Sequence, residues 1–249
     1  MRIELSDLSK LVSEKPEFKL GCIVDTNALF AAAMPLDRLN EWAEAAFKEL
    51  RALEIHTFTN INIRSEFMDL QRRVLIPEGL VTFYDQPCGE TMDGHLKTQL
   101  RLLKTSKDKS KDKLFKFNDQ QMKKYRNILK ELPGPNGMNS WDWFCENFLH
   151  PFIVNVWEEN IAFLKVKFVG TRAIESREYF DRDPSWKDMT DIIGRFGIGS
   201  SDAMIINFFL CSQFPLIVTG DEDVAYAVER LSGGKKFILI DKKVQSEAA

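Results

Sequence analysis

The chain has 249 residues, 44% of them hydrophobic and 29% charged, and a formal net charge of −3. This is the profile of a globular protein of one to two domains, and it excludes a collagen-like fibre or a disordered tail. No apolar run approaches the ~20 residues that span a bilayer, and the charged start MRIELSDLSKLVSEKPEFK lacks a signal-peptide core. Cys22, Cys88, Cys145 and Cys211 are scattered and form no C-x-x-C pair. That usage fits a reducing compartment and predicts a cytoplasmic protein with neither disulfides nor a zinc site.

In chain order, Gly21–Val24 is a continuous apolar run with the pattern of a buried parallel strand. Arg38–Leu53 follows with Leu39, Trp42, Ala46, Phe47, Leu50 and Leu53 at helical spacing. His56–Thr59 is a weaker strand. A helix is predicted from Ile63 to Val74, capped by Asn60 or Asn62. Between Leu75 and Arg195 the strand–helix rhythm is lost, and a mainly helical insertion is expected, broken at Pro133–Asn139. Trp141, Trp143 and Trp157 in this stretch can stack on bases, but insertion core is the reading preferred. Rhythm returns with a helix opening at Ser200 or Ser201 and strands at Leu216–Thr219 and Phe237–Ile240. The alternation predicts an α/β fold with right-handed crossovers on a parallel sheet.

Charge is distributed unevenly. Lys97 to Lys130 holds twelve basic residues against Asp108, Asp112 and Asp119, a net +9 that leaves −12 for the remainder. A basic block on an acidic body can hold a polyanion; the plainer alternative is a solvated loop around KTSKDKSKDKLFK.

In open α/β sheets, ligands bind beyond the carboxyl ends of the strands. Asp25 directly follows the first strand, and Asp221 and Asp223 follow LIVT. Asp202 lies in the first turn of its helix, and Glu66 near the start of the helix after His56–Thr59. Each acid alone is explained by helix dipoles or turn chemistry. Several converging on one edge repel one another and call for a cation. Oxygen ligands with few histidines suit Mg²⁺ or Mn²⁺ rather than zinc.

The segments IVDTN, NIRSEFMDL, SSDAMIINFF and IVTGDEDVA occur in the order and contexts of PIN-domain nucleases, and the chain resembles that family over roughly residues 20–75 and 195–241. The resemblance implies a PIN-like three-layer α/β/α domain of residues 1–74 and 195–249, with residues 75–194 as the insertion. It implies Asp25, Glu66, Asp202 and Asp221 as the principal acids on Mg²⁺ or Mn²⁺, Asp223 as ancillary, and Asn27 and Thr219 as supports. It also implies endoribonucleolytic cleavage of RNA, with a protein inhibitor or antitoxin and a homodimer as further partners and no membrane. Because an acidic pocket repels RNA, Lys107, Lys109, Lys111 and Lys113 are the expected backbone contacts.

The chain departs from compact members in the separation of Glu66 and Asp202, 136 positions, a length that argues against a minimal toxin. Asp69 is the alternative to Glu66. The rival functional class is a non-catalytic PIN-like domain that binds RNA or scaffolds proteins. A haloacid-dehalogenase-type phosphatase would need a second Asp where Asn27 stands, and Gly197–Ser200 is an incomplete phosphate loop with no strand before it.

Overall fold

The structure, a computed structural model, describes residues 1–85, 93–170 and 174–247. Its elements run β1 (Arg2–Ile3), α1 (Leu5–Glu14), β2 (Cys22–Val24), α2 (Thr26–Ala33), α3 (Asn40–Ala52), β3 (Thr57–Thr59) and α4 (Ile61–Asp85). Next come α5 (Gly94–Lys109), α6 (Asp119–Lys130), α7 (Ser140–Phe144), α8 (His150–Leu164) and β4 (Val166–Phe168). The chain closes with α9 (Trp186–Phe196), α10 (Ser200–Cys211), β5 (Leu216–Val218), α11 (Glu222–Ser232), β6 (Phe237–Leu239) and α12 (Lys242–Glu247).

The protein is an α/β protein, and its described strands form one six-stranded sheet in the order β1-β6-β5-β2-β3-β4, every pairing parallel. In β2, β3, β5 and β6 every residue is buried. Successive side chains point to opposite faces, so both faces of these strands are covered. Gly21 enters β2 at φ +124°, where a Cβ would stand 2.6 Å from the His56 carbonyl oxygen; only glycine fits that approach. The chain runs outward from β2 through β3 to β4 on one side, and from β5 to β6 on the other. The switch point, where ligand crevices form in such sheets, is therefore beyond the carboxyl ends of β2 and β5.

The chain divides into two compact units. One comprises Met1–Pro35, Leu39–Phe67 and Asn160–Ala249; the other comprises Leu36–Arg38 and Met68–Glu159. The expected insertion of residues 75–194 and these units have different limits, since residues from Asn160 onward fall in the unit that holds the sheet. The reason is β4, which pairs with β3 through Val166, Lys167 and Phe168. Only its first residue is buried, so an edge strand of this kind carries no apolar run in the sequence. β1, two residues long, was equally invisible to periodicity.

Helix α4 is also longer than the predicted Ile63–Val74. Asn60 caps it, its Oδ1 accepting from the N–H groups of Asn62 (2.9 Å) and Ile63 (3.0 Å). Pro77 lies inside the helix without ending it. Proline removes the bond to the carbonyl four residues back, and that carbonyl, of Arg73, accepts instead from the Phe117 N–H at 2.9 Å.

The second unit has its own core, built on Leu80, Leu100, Phe117, Leu129, Phe144 and Phe148. Trp141 packs 5.7 Å from Phe144, Trp143 packs 5.6 Å from both Phe83 and Phe148, and Trp157 is buried. Trp141 and Trp143 are thus half-buried against this core. The expected break at Pro133–Asn139 is a turn closed by an antiparallel bridge between those two residues. Cys22, Cys145 and Cys211 are free thiols, while Cys88 lies outside the described residues. Among the described residues no helix is long and apolar enough to cross a membrane.

Candidate metal centre

Asp25 ends β2 and caps α2, and it is 1% exposed. Its Oδ1 accepts from the Thr26 N–H and its Oδ2 from the Thr219 hydroxyl, both at 2.6 Å. Thr219 follows β5 directly, so its hydroxyl bridges the two central strands at the switch point. The same oxygen accepts from the Asp221 N–H at 3.0 Å. Asp221 in turn caps α11, with Oδ1 accepting from the Asp223 N–H (2.8 Å) and Val224 N–H (3.3 Å). Asn27 reaches its other oxygen, donating at 3.4 Å. Between Thr219 and Asp221 a Cβ on Gly220 would lie 2.6 Å from Leu39 Cδ1, so a larger residue there would require the Leu39 side chain to move.

Glu66, in the second turn of α4, is held from two other elements. Its Oε2 accepts from the Thr26 hydroxyl at 2.8 Å and from the Ser201 hydroxyl at 2.9 Å. Sequence reasoning named Ser201 only as a helix-opening residue and gave Thr26 no role; their signal was adjacency, since each neighbours an acid of the set. Asp202 follows Ser201 on α10, with the Gly199 backbone N–H turned to its carboxylate. A Cβ on Gly199 would stand 3.2 Å from Asp202 Oδ2.

These acids feel one another. Burial pushes the Asp25 carboxyl up to about 7, with Glu66 and Asp221 adding to the rise and the Thr219 and Thr26 bonds opposing it. Burial likewise lifts Asp202 to about 6, aided by the charges of Glu66, Asp221 and Asp223. The mutual repulsion links five acids from four segments: Asp25, Glu66, Asp202, Asp221 and Asp223. Two nearby acids stand apart. Glu222 is engaged by Arg2 at 2.6 Å, and Asp69 is paired with Arg72 and, at 2.7 Å, with Arg73, which hold its carboxyl below the usual range.

Among the described residues no three His, Cys, Asp or Glu side chains stand in a ready-made coordination cage. The chemistry of the donor set suits a hard cation. Every donor is an oxygen, the acids raise one another, and Mg²⁺ retains several waters while using only one or two carboxylates plus substrate phosphate. A closed protein cage is thus not the geometry such an ion needs.

The basic residues lie on the second unit. Lys104 pairs with Asp85 at 2.6 Å and Lys107 with Glu78 at 3.7 Å, while Lys109, Lys111 and Lys113 are exposed at the end of α5 and beyond. No protein-family model, curated protein or solved structure matches the chain.

Proposed function

We propose that the protein is a metal-dependent ribonuclease, a PIN-like α/β/α domain that hydrolyses RNA phosphodiester bonds. The observation that carries this reading is the convergence of Asp25, Glu66, Asp202 and Asp221 at the switch point of a parallel sheet, with burial and like charge raising two of them. A non-catalytic module gains nothing from a repulsive carboxylate cluster. Asp25, Glu66, Asp202 and Asp221 would hold Mg²⁺ or Mn²⁺, with Asp223 assisting. Such an ion lowers the pKa of a water and offsets charge on the phosphate oxygens. The chain's own part is orientation. Thr219 and Thr26 fix the Asp25 carboxylate, Thr26 and Ser201 fix Glu66, and Asn27 steadies Asp221.

A Mn²⁺ titration followed by thermal unfolding tests the metal site. Ligand that binds only the native state stabilises it by about 2.7 kcal/mol at a hundredfold excess over Kd, so the unfolding midpoint should climb with Mn²⁺ and the climb should vanish in Asp221→Asn. A midpoint indifferent to Mn²⁺ would favour the scaffolding alternative.

The RNA-binding role of the basic segment has a separate signature. Each single-strand phosphate neutralised contributes about 0.7 to the slope of log affinity against log salt. Changing Lys107, Lys109, Lys111 and Lys113 together to Gln should weaken RNA binding and flatten that slope, leaving Mn²⁺ affinity unchanged. Lys107, already engaged by Glu78, should contribute least. An unaltered slope would make the segment a solvated loop.

A further inference from the structure

A cavity of about 200 Å³ opens in the sheet-bearing unit, lined by Asn60, Trp186, Met189, Met204 and Phe208 among others. Its walls come from the carboxyl ends of β3 and β4 and from the starts of α4 and α9, the same edge that carries the acids. That volume lies below the ~300–1,000 Å³ typical of drug-sized sites, and suits one planar ring system.

Two features make it more than a crevice. Asn60 is 2% exposed, and its Nδ2 has no hydrogen-bond partner among the described residues. The orientation of that amide is fixed, because Oδ1 is committed to capping α4. The NH₂ group is therefore an unspent donor sealed just behind the surface of the cavity that Asn60 lines, and such a group costs stability unless something accepts from it. Trp186, by contrast, is 71% exposed at the first position of α9, an indole with a face open to a ligand. Asn207 offers no comparable donor, since its Nδ2 is spent on the Ser185 carbonyl at 2.9 Å.

The cavity also shares helix faces with the acid cluster. Asn62, on the cavity wall, precedes Glu66 by four residues on α4. Ser201, which donates to Glu66, precedes the cavity residue Met204 by three and Phe208 by seven on α10. Residues three and four apart on a helix lie about 5–6 Å apart. One turn thus separates the cavity from the acids on two helices at once.

We propose that this cavity seats one base of a single-stranded RNA whose phosphodiester lies at the acid cluster. Trp186 stacks against the ring, Met189, Met204 and Phe208 form the apolar floor, and a small shift of the wall as the base enters lets the Asn60 amide, sealed in the empty cavity, donate to a carbonyl or ring-nitrogen acceptor on the base edge. The identification of the ligand as an RNA base rests on the nuclease reading. Stacking on an aromatic side chain tolerates every base, while a donor on the edge gives a preference among them.

The test is run first without metal, in chelator, titrating the uncharged nucleosides uridine, cytidine, adenosine and guanosine by isothermal calorimetry. At least one nucleoside should give a saturable heat of binding. Trp186→Ala, at an exposed position, should weaken that binding about tenfold or more. Asn60→Asp keeps the capping oxygen and exchanges the NH₂ for an acceptor; it should abolish binding with α4 intact by circular dichroism. No saturable change in the wild type, or equal affinity in the wild type and both variants, overturns the proposal. A second arm follows Mn²⁺-dependent cutting of a mixed-sequence RNA, where Trp186→Ala should lose the wild type's preference for the base beside the cut. If no protein cuts RNA while the nucleosides still bind through Trp186 and Asn60, the nuclease reading fails and the base site stands.

Discussion

Asp25→Asn should abolish Mn²⁺-dependent RNA cleavage and at the same time raise the unfolding temperature of the metal-free protein. Activity falls because a buried carboxylate at the centre of the site is lost. Stability rises because that carboxylate is out of place without a cation. Its carboxyl is pushed from an ordinary 3.8 up to about 7 in the folded protein, so between those values the native state holds a proton that the unfolded chain releases. Stability therefore falls as pH rises through this window. Three pH units correspond to about 4 kcal/mol above neutrality. Asp202, lifted to about 6, pulls in the same direction. Asparagine removes the charge and preserves the local bonding: its oxygen can take the Thr26 N–H, and its NH₂ can donate to the Thr219 hydroxyl. With about 2–4 °C per kcal/mol for a chain of this size, a gain of several degrees at pH 7.5 is expected, shrinking towards pH 4. Differential scanning calorimetry in chelator across that range is the measurement. A variant that melts lower than the wild type at pH 7.5, or that cuts RNA at the wild-type rate, would remove Asp25 from the centre of the site.

What the sequence made legible follows the physics of each element. β2, β5 and β6 stand out as apolar runs because they are buried on both faces. Asp25 and Asp221 stand out because they follow such runs directly. β4 was hidden because Lys167 and Phe168 are exposed at the sheet edge. Helix α4 looked shorter than it is because the partner that excuses Pro77, the Phe117 N–H, lies forty residues further along. Asn60 could be recognised as a cap from its position, but not as an orphan donor. That depends on what surrounds its other end, and only the tertiary structure supplies it. The hydroxyls of Thr26 and Ser201 belong to the same class: a carboxylate's neighbours are written in sequence, its hydrogen bonds are not.

The choice between Glu66 and Asp69, three residues apart, is where the structure sharpens an expectation most. Glu66→Gln should reduce Mn²⁺-dependent kcat/KM by about 100-fold or more, whereas Asp69→Asn should change it by less than about threefold. The outer partners of a metal ligand alone are worth 10–100-fold in metal affinity or activity, so a ligand itself should exceed that range. Glutamine matches glutamate in size and retains a carbonyl oxygen for the Thr26 and Ser201 hydroxyls, which now donate to Oε2 at 2.8 and 2.9 Å. Its fold should persist, and the loss should appear as weaker Mn²⁺ binding. Asp69 has another task. Its pairing with Arg72 and Arg73, the latter also bound to Asp119 at 2.6 Å, holds its carboxyl low. A depressed carboxyl stabilises the fold above its unfolded pKa and loses that contribution as pH falls. For a half-exposed pair it amounts to about 0–1 kcal/mol. Asp69→Asn should therefore leave Mn²⁺ affinity intact and flatten the acid limb of stability slightly. The opposite ranking, with Asp69→Asn the inactive variant, would require α4 to turn by nearly a full turn from the register that joins Glu66 to Thr26 and Ser201.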